Sequence, residues 1–323
     1  MQLSPVALSR FFKKVTHTVV PCVRLGTSSM TTGELVWHWQ KVFEANGVPE
    51  ARESSEIIIS HALGVKMFHS LPPCWAQQPV SADQMKRIDI MGEERLKRVP
   101  LQYIIEEWDF LDMTLRMRPP VFIPRPETEE LVGVTLSGCS ALQSSPDPVI
   151  LEVGCGSGAV SLALLRKLPQ ARVIAVDKTE AAVSLTKENA ERLGLHQRIR
   201  IIQHDILTEA PNRLLEWGSV DVVVSNPPYI FTSDMSQLDP EIIKYEDHTA
   251  LDGGSDGMDV IRGILLLAPD LLKQKGDIFL EGDPRHPDMV RQWLQNCSRE
   301  KLQLINVVRD FCNKPRFIHL RRS

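Results

Sequence analysis

The sequence lacks long hydrophobic runs, paired cysteines and an excess of positive charge. No apolar run approaches the roughly eighteen residues that a membrane-spanning helix needs. A net charge of -4 and a pI near 6.2 argue against a basic surface that grips a nucleic-acid backbone. We therefore expect neither a membrane partner nor direct binding of nucleic acid.

The six cysteines also lack a functional spacing. None stands in a C-x-x-C pair, so the sequence predicts neither a metal site nor a compact disulfide framework. We interpret them all as reduced thiols: Cys22, Cys74, Cys139, Cys155, Cys297 and Cys312. The composition, 43% apolar and 24% charged over 323 residues, is that of a globular protein with room for two domains.

Acidic residues are absent from the start of the chain, where the first is Glu34. The same segment is basic and rich in hydroxyl groups, and Leu8, Phe11 and Phe12 could line one face of a helix. This combination is typical of a mitochondrial transit peptide, whereas the absence of a long apolar core argues against a secretory signal. We predict a transit peptide over residues 1–30 and a location in the mitochondrial matrix. A disordered basic terminus is the alternative.

Residues 31–99 have the periodicity of a small helical domain. Thr31 and Glu34 form a capping-box pattern ahead of the first helix. A second helix is predicted over 49–63, and a third begins after Ser81. We expect this domain to recognise a substrate, with a purely stabilising N-terminal cap as the alternative.

The pattern changes to extended runs between residues 100 and 126. The runs are Leu101–Ile105 and Leu111–Met117, and turn-type residues interrupt them. We predict a β-hairpin or an extended linker here, followed by a larger domain over residues 127–323.

The larger domain alternates short apolar runs with amphipathic segments. Strands are predicted at 149–153, 172–177, 198–203, 220–225, 276–281, 303–308 and 316–321. Helices are predicted at 157–168, 180–193, 257–274 and 285–296. Such alternation builds a mainly parallel α/β sheet with helices on both faces, but the last two strands are too close together for a parallel crossover and should pair antiparallel. This seven-stranded pattern resembles the Rossmann-like fold of most S-adenosylmethionine-dependent methyltransferases.

A glycine-rich loop follows the first predicted strand and opens a helix. Glycines let the backbone approach a ligand closely, and the helix start offers free N–H groups. We predict cofactor contacts from this loop by Glu152, Gly154, Cys155, Gly156, Ser157 and Gly158. The loop also satisfies the dinucleotide-binding pattern G-x-G-x-x-G/A, so by itself it does not separate a methyltransferase from a dehydrogenase.

Two acids follow the next two strands. Asp177 closes the second strand, where a carboxylate can accept hydrogen bonds from ribose hydroxyls. Asp205 follows the third strand, at the place where methyltransferases bind the adenine amino group. Together with the loop, these acids favour an adenosyl pocket, to which Asn226 after the fourth strand is also expected to contribute.

Asn226-Pro227-Pro228-Tyr229 is the most informative segment of the chain. The Asn226 side-chain oxygen and the Pro227 carbonyl can both accept hydrogen bonds from one planar NH2 group. The two prolines stiffen the turn and add no competing donor, and Tyr229 offers a flat face for stacking. Such a pocket suits methyl transfer to an amide or an exocyclic amine and argues against a dehydrogenase. An ordinary strand-ending turn is the alternative.

Further motifs occur in a characteristic order. They are Pro100-Leu-Gln-Tyr-Ile, Ile123-Pro-Arg125-Pro-Glu127-Thr128-Glu129-Glu-Leu-Val132, the glycine loop, Asn226-Pro-Pro-Tyr, and Tyr245-Glu-Asp-x-x-Ala-Leu-Asp-Gly-Gly254. From about residue 34 to its end, the chain therefore resembles the HemK/PrmC-type protein-(glutamine-N5) methyltransferases. With the transit peptide, it resembles the mitochondrial member of that family.

The resemblance implies a function. S-adenosyl-L-methionine would be the cofactor, and the substrate would be the Gly-Gly-Gln glutamine of mitochondrial peptide-chain release factors. Asn226, Pro227 and Tyr229 would be catalytic, and these three with Pro228 would bind the substrate. We expect the enzyme to act as a monomer.

The chain departs from the family pattern at three places. Glu106 stands where the family usually has glycine, His248 stands where it has proline, and residues 281–287 differ from the bacterial pattern. The roles of Arg125 and Glu127 stay open. They either organise the entry loop or contact the partner protein, or they form an internal ion pair between linker and domain.

Two other functions use similar sequence features. An adenine-N6 nucleic-acid methyltransferase also needs acceptors for a planar NH2, but it usually carries a basic recognition region. A non-catalytic assembly factor with a methyltransferase fold is the second alternative. The intact glycine loop, Asp177 and Asn226 argue against loss of the site.

Overall fold

The computed structural model describes residues 30–66, 76–215, 218–296 and 301–323, the side chains of 143 and 144 excepted. The chain divides into two compact units, one ending at Leu96 and the other running from Lys97 to Ser323. The predicted transit peptide lies outside the described residues except for its last position. No helix of the described ranges is long and apolar enough to cross a membrane.

The first unit is helical. Its helices are α1 (Thr32–Ala45), α2 (Ala51–Leu63) and α3 (Ala82–Leu96). The capping box predicted before α1 is confirmed, because the Glu34 backbone N–H donates to Thr31 Oγ1 at 3.3 Å and the Thr31 N–H donates to Glu34 Oε2 at 2.8 Å. Leu35, Trp39 and Phe43 fill the core of this unit from one face of α1.

The second unit begins with a short helix, α4 (Leu101–Ile104), where an extended run was predicted. That prediction is wrong for Leu101–Ile105. The Pro100 carbonyl accepts hydrogen bonds from the N–H groups of Tyr103 and Ile104, each at 3.1 Å, and so starts a helical turn. Leu101 and Tyr103 are buried, and their alternating apolar pattern fits a short helix as well as a strand.

A hairpin follows, as predicted for residues 100–126. Its second strand lies within the predicted run Leu111–Met117, whereas its first strand lies after the predicted run Leu101–Ile105. Strands β1 (Glu107–Phe110) and β2 (Met113–Arg116) pair antiparallel. The turn into β1 passes through Glu106, whose φ of 58° lies in the left-handed region. This backbone conformation accounts physically for the glycine that the resemblance expects there.

Two helices then lead into the sheet, α5 (Pro126–Gly138) and α6 (Ser140–Ser144), and neither was predicted from the sequence. The remaining elements are β3 (Val149–Val153), α7 (Ala159–Lys167), β4 (Arg172–Asp177), α8 (Glu180–Arg192), β5 (Ile199–Gln203), β6 (Val220–Ser225), α9 (Pro240–Tyr245), α10 (Asp259–Leu271), β7 (Leu272–Glu281), α11 (His286–Asn296), β8 (Leu302–Arg309) and β9 (Pro315–Arg322). All seven strands predicted for the sheet are present. Strand β7 begins four residues earlier than predicted, at Leu272, where it pairs with Val220 ahead of a register irregularity.

The strand order of the sheet is β5-β4-β3-β6-β7-β9-β8. The first five are parallel to one another, whereas β9 runs antiparallel to both β7 and β8. The predicted seven-stranded methyltransferase sheet, with its antiparallel last pair, is therefore confirmed.

Each face of the sheet has its own hydrophobic core. Ile150 and Val222 belong to the core that α5, α7 and α8 cover, whereas Leu151 and Val223 belong to the core that includes α10. Because side chains alternate along a strand, β3 and β6 are buried on both faces and read as continuous apolar runs. The parallel arrangement places the carboxyl ends of β3, β4, β5 and β6 at one edge, where the chemically interesting residues were predicted.

Candidate active site

A cavity lies at the carboxyl edge of the parallel strands. Residues at the carboxyl ends of four strands line it: Val153, Gly154 and Gly156 at β3, 176–179 at β4, 204–207 at β5 and 226–230 at β6. Parts of two further loops, 121–125 and 242–251, complete the lining. Ligands of open α/β sheets bind at this edge, so the cavity is the candidate active site.

The glycine loop presents its backbone to the cavity. Gly154 and Gly156 have φ values of 75° and 54°, which only glycine adopts without strain. The N–H groups of Gly154 and Cys155 donate to the Val176 carbonyl at 2.8 and 3.0 Å and tie the loop to β4. A side chain at Gly156 would meet no neighbour within 4 Å, because this part of the loop faces open space.

Four residues of the predicted cofactor loop lie outside the cavity lining: Glu152, Cys155, Ser157 and Gly158. Glu152 is buried and accepts hydrogen bonds from the backbone N–H of Ser161, at 3.0 Å, and from the Ser161 hydroxyl. Burial raises the pKa of the Glu152 carboxyl to about 8. Its contacts join β3 to the first turn of α7, so it supports the shape of the loop from within the protein.

Asp177 lies where the sequence placed it, at the end of β4 and in the cavity lining. Its Oδ2 accepts a hydrogen bond from the Gly156 N–H at 3.0 Å. Its Oδ1 accepts from the backbone N–H and the hydroxyl of Thr179, both at 3.0 Å. The carboxylate is therefore held in one orientation between the glycine loop and α8.

Asp205 also lines the cavity, next to the apolar side chains of Ile206 and Leu207. Its Oδ1 accepts a hydrogen bond from the Leu207 N–H at 2.9 Å. His204, which the sequence analysis did not select, lines the same cavity and is buried. Its Nδ1 lies 3.4 Å from Glu209 Oε2, but neither ring nitrogen has a partner with hydrogen-bond geometry among the described residues. A lone histidine before an aspartate carries no sequence signal that would have identified it.

The Asn226–Tyr229 segment follows β6 directly and lines the cavity throughout. Asn226 Nδ2 donates a hydrogen bond to Thr128 Oγ1 at 3.0 Å. The Tyr229 hydroxyl donates to Glu281 Oε1 at 3.2 Å and accepts from Arg316 Nη1 at 3.4 Å. The tyrosine ring is thus anchored at its hydroxyl end.

Burial is the largest cause of the pKa shifts of Tyr229 and of Glu281, the carboxyl group that its hydroxyl contacts. It raises the pKa of the Tyr229 phenol, and it raises the pKa of the Glu281 carboxyl to about 7. Glu281 lies at the end of β7 and is fully buried. Thr128 and Glu281 were not selected from the sequence, because they contact Asn226 and Tyr229 only through the fold.

An ion pair joins the two loops that complete the cavity lining. Arg125 Nη2 donates to Glu246 Oε1 at 2.6 Å, and the buried Glu246 also accepts from the Ile123 N–H at 3.2 Å. The Asp247 N–H donates to the Pro120 carbonyl at 2.8 Å. Of the roles left open for Arg125, the structure shows an internal ion pair, and its partner comes from the loop after α9.

Comparison with known proteins places these features in a family. Residues 34–105 match the family model described as the PrmC N-terminal domain, and residues 144–306 match one described as a methyltransferase domain. The human protein named MTRF1L release factor glutamine methyltransferase is 58% identical over 294 residues, which span 90% of this chain and 87% of the human one. The chain belongs to the release factor glutamine methyltransferase family.

Bacterial members of the family are more distant but cover most of the chain. The Geobacter sulfurreducens release factor glutamine methyltransferase is 33% identical over 78% of this chain and 86% of its own length. The Mycolicibacterium smegmatis one is 38% identical over 74% of this chain and 80% of its own length. The chain is therefore a methyltransferase that uses S-adenosylmethionine, and the dehydrogenase interpretation is excluded.

The cavity residues fit that cofactor. Asp177 and Asp205 provide acceptors for hydroxyl and amino groups, and the glycine loop provides open backbone. Val121, Val176 and Ile206 supply apolar walls of the kind that a purine ring needs. Within the described residues, no cluster of three or more histidine, cysteine or acidic side chains is arranged to hold a metal ion.

Proposed function

We propose that this enzyme methylates the side-chain amide nitrogen of the glutamine in the Gly-Gly-Gln motif of mitochondrial peptide-chain release factors, in the mitochondrial matrix. One observation carries the proposal: Asn226-Pro-Pro-Tyr229 lines the same cavity as Asp177 and Asp205. An acceptor site for a planar NH2 group thus shares one cavity with the acids that suit an adenosyl group. Family membership supports the choice of release factors as the substrate class.

Different residues of the cavity would bind different parts of the cofactor. Asp177 would accept hydrogen bonds from ribose hydroxyls and Asp205 from the adenine amino group, while Gly154 and Gly156 offer backbone to the methionine part. Glu152, Cys155, Ser157 and Gly158 would hold the loop in shape. The bound cofactor supplies a methyl group on a positively charged sulfur, so no other activation of the methyl group is required.

The acceptor nitrogen is the difficult partner, because its lone pair is delocalised into the neighbouring carbonyl. We infer that Asn226 Oδ1 and the Pro227 carbonyl each accept one hydrogen of the glutamine NH2. Held by two acceptors, the nitrogen cannot rotate out of line, which removes much of the orientational part of the barrier. The same acceptors stabilise the positive charge that grows on nitrogen as the N–C bond forms, and the surplus proton then leaves to water. Tyr229 packs against the amide plane.

The proposal is tested by the mass of the product. Recombinant mitochondrial release factor is incubated with the enzyme and S-adenosylmethionine, and intact-mass spectrometry measures its change. We expect a gain of one methyl group that peptide mapping assigns to the Gly-Gly-Gln glutamine. A release factor with that glutamine replaced by alanine is the control and should gain nothing.

Two results would contradict the proposal. One is an unmodified release factor in the presence of enzyme that demonstrably binds S-adenosylmethionine. The other is methyl transfer to adenine in DNA or RNA supplied in place of the release factor, which would instead support the nucleic-acid alternative.

A further inference from the structure

The side-chain amide of Asn226 has two different ends, and only one of them suits the proposed reaction. Its Oδ1 accepts hydrogen bonds, whereas its Nδ2 only donates them. Rotation of the amide by half a turn exchanges the two ends, and the torsion that does so is intrinsically soft and roughly two-fold. With Nδ2 towards the substrate, two NH2 groups would face each other and neither could accept. The activity therefore depends on which end of Asn226 is turned away.

Thr128 contacts the end that must be turned away. Asn226 Nδ2 donates to Thr128 Oγ1 at 3.0 Å, while none of the described residues donates a hydrogen bond to Asn226 Oδ1. Thr128 is buried in the first turn of α5, where its own N–H donates to the Arg125 carbonyl at 3.0 Å. Its hydroxyl is consequently presented to Asn226 from a rigid position.

A hydroxyl alone would not choose between the two ends, because it can donate to Oδ1 as readily as it accepts from Nδ2. Glu281 supplies the asymmetry. Its Oε1 accepts from the Tyr229 hydroxyl, whereas its Oε2 is buried without a hydrogen-bond partner among the described residues. Burial, the larger effect, raises the pKa of the Glu281 carboxyl, whereas interaction with the Thr128 hydroxyl lowers it. If the Thr128 hydroxyl turns its hydrogen towards the unpartnered Oε2, it can only accept from Asn226, which is the direction of the observed contact from Nδ2.

We propose that Thr128, with Glu281 behind it, is a positioning residue that fixes the Asn226 side chain with its oxygen towards the substrate amide. The inference rests on the proposed function, because the direction of the Asn226 oxygen matters only for a substrate that donates. It also gives a role to Thr128 in the distinctive Ile123–Val132 stretch, because Thr128 does not itself line the cavity but contacts Asn226, which does.

The first test compares conservative variants of one helix. Thr128→Val removes the hydroxyl and keeps the shape, and we expect kcat to fall about tenfold with cofactor affinity unchanged. Thr128→Ser restores the hydroxyl and should recover most of the activity. Thr135→Val is the matched control, because Thr135 is buried in the same helix and its hydroxyl donates to the Leu131 carbonyl at 2.8 Å. It should leave kcat unchanged.

The second test separates orientation from general packing. In the Asn226→Asp background both ends of the side chain are acceptors, so a wrong orientation no longer exists. Thr128→Val should then change kcat by less than about twofold. A tenfold loss in this background as well would show that Thr128 acts by another route and would overturn the inference.

A third measurement does not depend on the substrate. In the wild-type enzyme, the hydrogen on Asn226 Nδ2 that is bonded to Thr128 should exchange slowly with solvent by nuclear magnetic resonance. Exchange should become fast in Thr128→Val and stay slow in Thr128→Ser. If the wild type exchanges as quickly as Thr128→Val, the inference is wrong even where release factor is methylated. If exchange is slow but release factor stays unmodified, the proposed function fails instead.

Discussion

Asn226 and Asp177 show how single residues divide binding from chemistry in this cavity. Both line it, but they follow different strands and contact different neighbours. Asp177 is tied to the glycine loop through Gly156, whereas Asn226 is tied to α5 through Thr128. Substitution of Asp177 should therefore lower the affinity for the cofactor, whereas substitution of Asn226 should lower the turnover of release factor.

The first prediction uses that contrast. Asn226→Ala should leave cofactor affinity nearly intact and reduce turnover of release factor by roughly 10²–10³, the usual effect of losing a preorganised polar group. The loss should fall on kcat if the contact strengthens in the transition state. Asn226→Asp keeps an acceptor and should retain partial activity. Calorimetry gives the affinity, and single-turnover assays give the rate.

Asp177→Ala is the matched control for that prediction. It removes a charged acceptor, so cofactor affinity should fall by about tenfold or more. Equal rates for Asn226→Ala and the wild type would show that the Asn226 oxygen does not hold the substrate.

The second prediction concerns the buried Glu152 carboxyl. Its pKa is about 8 in the folded protein against an ordinary value of 4.5, so the folded state binds the proton more tightly than the unfolded state. The free energy of unfolding should consequently decrease as pH rises from about 4.5 to about 8, by at most about 1.4 kcal/mol per pH unit for this group. Urea unfolding of the protein without cofactor measures the slope.

Glu281 must be separated from Glu152 in that experiment. The pKa of Glu281 is also raised, but only to about 7. Its contribution to the decrease in the free energy of unfolding therefore ends at a lower pH than that of Glu152. Glu152→Gln should flatten the slope between about pH 7 and pH 8. An unchanged slope in that interval would mean that Glu152 is already ionised in the folded protein.

At the scale of elements, the turn into β1 combines a strained residue with a regular hairpin. Glu106 is exposed and has a φ of 58°, a conformation that costs an ordinary residue roughly 1–2 kcal/mol. Its ion pair with Arg116 is long, at 3.9 Å, and exposed, so it offsets little of that cost. The hairpin keeps Glu106 in this conformation, because the Met117 N–H donates a hydrogen bond to the Glu106 carbonyl at 2.9 Å.

We therefore predict that Glu106→Gly stabilises the protein. The gain should be roughly 0.5–1 kcal/mol, because relief of strain exceeds the extra entropy of glycine in the unfolded chain. Glu107→Gly, one residue further and inside β1, is the control and should destabilise. Thermal unfolding followed by circular dichroism compares the variants, and a Glu106→Gly protein that melts below the wild type would contradict the strain argument.

At the scale of the whole molecule, the chain contains a helical unit and a methyltransferase unit, and its first 33 residues are basic and include no acidic residue. The last prediction concerns these residues. A fusion of residues 1–33 to a fluorescent protein should enter mitochondria, since the membrane potential draws a positively charged helix inward. Live-cell imaging against a mitochondrial marker measures this, with Lys13→Glu and Lys14→Glu together as the control that should reduce import. A diffuse cytosolic signal from the unmodified fusion would argue against a transit peptide.

The sequence by itself determined the sheet and the residues at its carboxyl edge. Each strand was visible as an apolar run, and the short connection before the last strand required an antiparallel pair. Gly154, Asp177, Asp205 and Asn226 were predictable for the same reason: each lies at the end of a strand or within two residues after it, and parallel strands end at one edge. The helical turn at Leu101–Ile104 was not predictable, because alternating apolar residues over four positions fit a helix and a strand equally well.

Only the tertiary structure decided how those residues are held. Thr128 and Asn226 are 98 residues apart in the chain, and Arg125 and Glu246 are 121 apart. No local pattern encodes such pairs, because strand order and helix packing bring them together after both partners have been placed. The sequence therefore determined the acceptor groups at the strand ends, and the contact of Asn226 with Thr128 of α5, which only the fold creates, decided which way Asn226 faces.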